Sequence, residues 1–84
     1  MNTLPTQAVA PRSAATLMQN LSNELHLPGD SLHNFTRLRE DLFLDTMDVE
    51  LLVASLERRL GYYLTEEEAS QIETVGDLQQ FFLR

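Results

Sequence analysis

From Asp45 to Leu60 the apolar residues Val49, Leu52, Val53, Leu56 and Leu60 fall at i, i+3, i+4, i+7 and i+11, the spacing of one helical face. Asp45 suits the N-cap, Asp48 three residues on meets the positive end of the helix dipole, and Gly61 suits the residue that ends the helix. An earlier stretch repeats the pattern: Ser13 as cap, then Leu17, Met18, Leu21 and Leu25 on one face, predicts a helix to about Leu25 that Pro28-Gly29 stops. In "TEEEASQI", Thr65 and Glu68 form a capping box over a short helix. A last helix follows Thr74 as its cap, with Val75, Leu78, Phe81 and Phe82 available for burial. No segment alternates as a half-buried strand would. The pattern predicts an all-α four-helix chain whose third helix is short. Residues 26–44 form a long first connection with apolar anchors at Leu27, Leu32, Phe35, Leu38 and Leu42. A connection that long in a small domain is unusual, and such loops are commonly functional or wrapped on the core. Residues 1–12, with Pro5 and Pro11 and no periodicity, read as a flexible tail, leaving 13–84 as one domain.

Composition narrows the picture. A chain of 84 residues buries only about 60% of its unfolded surface. There is no cysteine to staple it, which also removes thiolate metal sites and cysteine nucleophiles. Two histidines, His26 and His33, are too few for an ordinary zinc site and read as loop surface residues. No apolar run is long enough to span a membrane. "MNTLPTQAVAPR" has neither the basic start nor the apolar block of a secretory signal, so the expected compartment is the cytoplasm. Thirteen acids against six arginines and no lysine give a net charge of −7. Such a surface repels nucleic-acid backbones and attracts partners with basic patches, unless it serves only to keep a small protein soluble.

The acids cluster. Glu40, Asp41, Asp45, Asp48 and Glu50 lie within eleven residues that contain no base, around the start of the second helix. Complementing the helix dipole explains two or three of them. A calcium loop is excluded, because its sharp turn needs a glycine and none lies between Asp30 and Gly61. A glycosidase pair would need a sugar cleft that this chain is too small to build. Two loop histidines make no nucleophilic triad, and "NFT" at 34–36 matches a glycosylation sequon without the secretory signal to give it meaning. No catalytic site and no metal site emerge, and the chain does not read as an enzyme. What remains is a pair of similar signals, "GDSLHN" at 29–34 and "LDTMDV" at 44–49.

The stretch "EDLFLDTMDVELLVASLERRLGYYLTEEEASQIETVGDLQQFF" resembles the acyl carrier proteins. The likeness rests on Glu40-Asp41-Leu42, Asp45, Asp48, Leu52, Leu56, Glu66 to Ala69, Ile72, Thr74 and Val75, and runs without a gap from about Leu17 to Phe82. It implies a four-helix bundle with a long first loop and a short third helix. The family carries 4′-phosphopantetheine on a serine at the start of the second helix, where this chain has Thr46. In that register "DSL" at 30–32 falls inside the first loop, where the family has no cofactor, and Ser31 reads as a turn residue. Asp45 resembles the family acid that helps hold magnesium in the modifying transferase. Thr46 keeps the hydroxyl but is β-branched, so its methyl crowds attack on coenzyme A, and a serine-adapted transferase is expected to load it slowly or not at all.

The resemblance further implies a carrier that presents acyl intermediates as thioesters. Its partners would be a phosphopantetheinyl transferase and acyl-transferring enzymes with basic patches, docking on Met47, Asp48, Glu50 and Leu51 with Glu40 and Asp41 nearby. Pairing would be weak and salt-sensitive, and the carrier itself a monomer. Leu52, Val53, Leu56, Leu60, Leu64, Ile72, Val75 and Phe82 would line an acyl site, or would simply pack the core. Glu50 and Leu51 invert the family's apolar-then-acid order, and a compensated one-residue shift aligns equally well there. Arg58 and Arg59 interrupt the acidic face, which favours a specialised fatty-acid, polyketide or nonribosomal peptide pathway. Two alternatives stand beside this: a carrier-like module without the arm that binds or regulates an enzyme through its acidic second helix, and a generic acidic helical domain.

Overall fold

A computed structural model describes residues 13–83. The expected N-terminal tail at 1–12 lies outside the described residues. Within the described residues four α-helices follow one another: α1 Ala14–Leu25, α2 Thr46–Leu60, α3 Glu66–Ser70 and α4 Val75–Phe82. Among the described residues there is no strand, only an isolated antiparallel bridge between Arg37 and Thr74. The architecture is the all-α bundle implied by the sequence, with a long first connection and a third helix of 5 residues.

Each helix starts on its expected cap. Ser13 accepts from the Thr16 N–H, and Asp45, Thr65 and Thr74 each accept from the N–H three residues on. The last three are full capping boxes, because Asp48, Glu68 and Asp77 reach back to the cap residue's own N–H. Asp48 and Asp77 thus satisfy a backbone donor as well as the dipole. Gly61 ends α2 in the left-handed region at φ 68°, donating its N–H to Glu57 O. α1 ends at Leu25, ahead of Pro28-Gly29, as expected. His26, itself left-handed at φ 56°, is the C-cap, and Gly29–Ser31 forms a separate 3₁₀ turn with Ser31 exposed.

Leu17 and Leu21 of α1, Val49, Leu52, Val53, Leu56 and Leu60 of α2, Ile72, and Val75, Leu78, Phe81 and Phe82 of α4 form the core. Met18 and Leu25 are half-buried against it. Burying a leucine side chain such as Leu56 contributes about 1.5–3 kcal/mol. The periodic residues of the sequence therefore do face inward.

The long connection is wrapped rather than loose. Leu38 N–H donates to Glu73 O, Val75 N–H to Thr36 O and Gly76 N–H to Asn34 O, stitching residues 34–38 across the α3–α4 junction. Leu32 and Leu38 are buried and Leu27 and Leu42 half-buried, as expected of anchors. Phe35 is the exception: it is 76% exposed, stacked on His33 with ring centroids 5.1 Å apart. Asn34 and Phe35 are the middle residues of a turn closed by the Thr36 N–H donating to His33 O at 3.0 Å, which leaves Phe35 outside while Thr36 and Leu38 are buried. Buried Thr36 is satisfied locally, its Oγ1 accepting from the His33 N–H at 2.9 Å.

Candidate functional site

Thr46 is the first residue of α2 and is exposed. Beside it Asp45 Oδ1 accepts from the Asp48 N–H at 2.8 Å, and Asp48 Oδ2 accepts from the Asp45 N–H at 3.1 Å. The box fixes the helix start by interactions spanning four residues, so Thr46 stands on a rigid turn. Among the described residues, the Thr46 hydroxyl has no hydrogen-bond partner, and the Thr46 and Met47 N–H groups have no acceptor.

Thr46 lies at one end of a groove of about 560 Å³ between α2 and α3. Val49, Val53, Ala54, Leu64 and Ala69 supply its apolar wall, and Arg39, Glu50, Glu57 and Glu66 its charged edges. The α2 contribution recurs at one face of the helix, so the groove runs along the axis away from Thr46. Leu64 is half-buried at this wall rather than in the core. Its N–H is held by Glu57 Oε2 at 2.9 Å, which ties the approach to α3 onto α2. Of the residues expected to line an acyl site, only Val53 and Leu64 reach this groove; Leu52, Leu56, Leu60, Ile72, Val75 and Phe82 are core.

Met47 and Leu51, at i and i+4, form an outward ridge, 67% and 63% exposed. On its far side a shallower cavity of about 320 Å³ is lined by Glu24, Leu25, Leu44, Asp48, Leu51 and Leu52. The unusual order of Glu50 and Leu51 thus has a defined outcome: α2 is uninterrupted, Glu50 faces the groove and Leu51 the ridge. Glu40 is exposed. Asp41 is exposed too, but its carboxylate is taken up by Arg37, with Oδ1 2.9 Å from the guanidinium and Oδ2 accepting the Arg37 backbone N–H at 2.8 Å. Those hydrogen bonds hold the Asp41 carboxyl below its ordinary range, the guanidinium contributing most. The structure therefore brings Asp45, Thr46, Met47, Asp48, Glu50 and Leu51 together at the head of α2.

Two residues with no role in the sequence reading stand at this site. Arg39 lines the groove with Thr46. Phe43 is left-handed at φ 60° and 85% exposed, three residues before Thr46. Arg39 had a signal, being the last base before the acidic run; the conformation of Phe43 had none. No group of three or more metal-ligating side chains occurs among the described residues, and no helix there is long and apolar enough to cross a membrane.

Comparison with known proteins extends the picture. The chain is 34% identical over 65 residues to an acyl carrier protein of Saccharopolyspora erythraea, covering 77% of this chain and 68% of the relative. It is 38% identical over 66 residues to acyl carrier protein MbtL of Mycolicibacterium paratuberculosis, covering 79% and 74%. The chain belongs to the acyl carrier protein family. No protein-family model matches it. Acyl carrier proteins hold acyl groups for other enzymes to act on, so this family member is a carrier and not an enzyme. Phosphopantetheine is the family's prosthetic group, and acyl-transferring enzymes and a phosphopantetheinyl transferase are its general partners.

Proposed function

We propose that Thr46 Oγ1 is the attachment point for 4′-phosphopantetheine and that the chain carries acyl intermediates of a specialised fatty-acid, polyketide or nonribosomal peptide pathway. The observation that carries this reading is the Thr46 hydroxyl, without a hydrogen-bond partner among the described residues, on a capped helix start at the end of a groove with an apolar wall. The donor set suits the group: two backbone N–H groups without acceptors among the described residues lie at the head of α2, where an anion is favoured. When bound, the group supplies a thiol that holds an acyl chain as a thioester. Asp45 and Asp48 fix the helix start, Thr46 offers the hydroxyl, and the groove wall of Val49, Val53, Ala54 and Leu64 shelters an apolar chain from water. Asp45 Oδ2 has no hydrogen bond among the described residues and remains available to a transferase-bound magnesium ion.

Met47 and Leu51 form the docking ridge, with Asp48 on one flank, Glu50 on the other and Glu40 outside it. The partners are the transferase and acyl-transferring enzymes with basic patches. Asp41 contributes less than the others, because Arg37 already neutralises it. The carrier works as a monomer in the cytoplasm. A second reading, an arm-free module that regulates an enzyme through the same ridge, is favoured by Thr46 itself, whose methyl hinders attack where serine has none.

Intact mass after incubation with coenzyme A, magnesium and a broad-specificity transferase separates the two. The expected result is a gain of one phosphopantetheine, absent from Thr46→Ala. If the natural chain stays unloaded with its host's own transferase while Thr46→Ser gains the group, the arm-free reading replaces the carrier reading.

A further inference from the structure

The described arginines divide by what they touch. Arg37 is paired with Asp41. Arg59 is paired with Glu24 at 3.1 Å and leans on Ser55. Arg58 sits at the far end of α2, about 18 Å along the axis from Thr46 at 1.5 Å per residue. Arg39 makes no ion pair or side-chain hydrogen bond with another described residue, and among the described residues it is the one base lining the α2–α3 groove.

Its place is fixed by its neighbours in the chain. Leu38 just before it is fully buried, with its N–H on Glu73 O and its C=O accepting from the Leu44 N–H at 3.1 Å. The second bond closes the loop between Leu38 and the residue preceding the Asp45 cap. The backbone on which Arg39 stands is therefore tied both to the α3–α4 junction and to the start of α2.

The charges around it are otherwise negative. Glu50, Glu57 and Glu66 edge the groove, and Asp45 and Asp48 flank Thr46. Glu57 is engaged by the Leu64 N–H. A phosphodiester on Thr46 adds another negative charge at this end, and its repulsion needs a cation close by. A guanidinium answers that need with parallel N–H donors that match phosphate oxygens.

We propose that Arg39 is a positioning residue that pairs with the phosphodiester of the arm on Thr46 and directs the arm into the α2–α3 groove. This rests on the Thr46 reading. No covalent step is assigned to Arg39; it sets where the arm lies.

The test uses the full chain before and after loading, with loading confirmed by intact mass. The readouts are the ³¹P signal of the phosphodiester and the ¹H–¹⁵N signal of the Arg39 guanidinium. Arg39 is exposed, so Arg39→Gln keeps the fold, which a thermal melt of the unloaded protein verifies. The expected result is a shift and slowed exchange of the Arg39 signal on loading. The ³¹P signal should also be displaced in loaded Arg39→Gln, and Arg39→Lys should restore it in part. High salt should reduce all three effects. A guanidinium signal unchanged on loading, with the same ³¹P signal in natural and Arg39→Gln proteins, overturns the proposal while leaving the carrier reading intact. If only Thr46→Ser accepts the arm, the same comparison made in that background decides between these results. Failure of both the natural chain and Thr46→Ser to load removes the carrier reading and this proposal with it.

Discussion

Replacing Gly76 with alanine sets a local preference against a tertiary contact. Gly76 is the second residue of α4, and helix propensity alone favours alanine there by up to about 1 kcal/mol. The structure opposes it. A Cβ on Gly76 would stand 2.9 Å from Asn34 O and 3.6 Å from the Asn34 carbonyl carbon and Cβ. That oxygen also accepts the Gly76 N–H at 2.8 Å. The loop cannot retreat alone, because Val75 N–H to Thr36 O and Leu38 N–H to Glu73 O, both 2.9 Å, hold the residues that follow Asn34. Relief of the clash stretches the Gly76 bond, which costs about 1 kcal/mol, and strands a half-buried donor for about 1–3 kcal/mol more. Set against the propensity gain, Gly76→Ala should destabilise by about 1–3 kcal/mol. In urea the midpoint should fall with the slope unchanged, and Tm should drop by roughly 4–8 °C for each kcal/mol lost. Gly29→Ala is the control, since its Cβ would meet nothing within 4 Å. A Gly76→Ala protein as stable as the natural chain would refute the reasoning, showing that the 34–38 segment yields more easily than its hydrogen bonds imply. The consequence reaches the site, because this segment leads directly to Arg39.

Two further outcomes follow from local geometry. Phe43 holds φ 60° with its ring in solvent; relief of left-handed strain is worth about 1–2 kcal/mol, less roughly 0.5–1 kcal/mol for glycine's freedom in the unfolded chain. Phe43→Gly should therefore raise the urea midpoint, and a lower midpoint would mean the ring packs in a way its exposure denies. The Asp41 carboxyl, held below its ordinary value of 3.8 chiefly by the Arg37 side-chain hydrogen bond, contributes stability that is present above that value and fades as pH falls through its lowered folded value. Asp41→Asn should thus be less stable than the natural chain at neutral pH, by a small, salt-screened margin that closes below pH 3.8. A margin independent of pH would contradict the assignment of that pairing.

Much of this protein was legible in its sequence because the forces involved act over short stretches. Ser13, Asp45, Thr65 and Thr74 cap helices by bonding three residues on, so type and spacing sufficed. The core residues of α1, α2 and α4 repeat with the helical period and bury as that period requires. Thr46 follows its cap at a helix start and Ser31 lies on an exposed turn, as the local residue types imply.

The long connection obeyed other rules. Phe35 has the apolarity of an anchor, yet it sits in a turn of a segment hydrogen-bonded to the α3–α4 junction, which leaves it outside and buries Thr36. The left-handed backbone of Phe43, the pairing of Asp41 with Arg37, the close approach at Gly76 and the place of Arg39 on the groove that Thr46 also lines depend on the path of that same connection. Local hydrogen bonds and periodic burial leave a mark on neighbouring residues and can be read one stretch at a time. Contacts such as Asn34 with Gly76 join residues far apart in the chain. They are chosen by how the packed helices leave room for the loop, which only the folded chain decides.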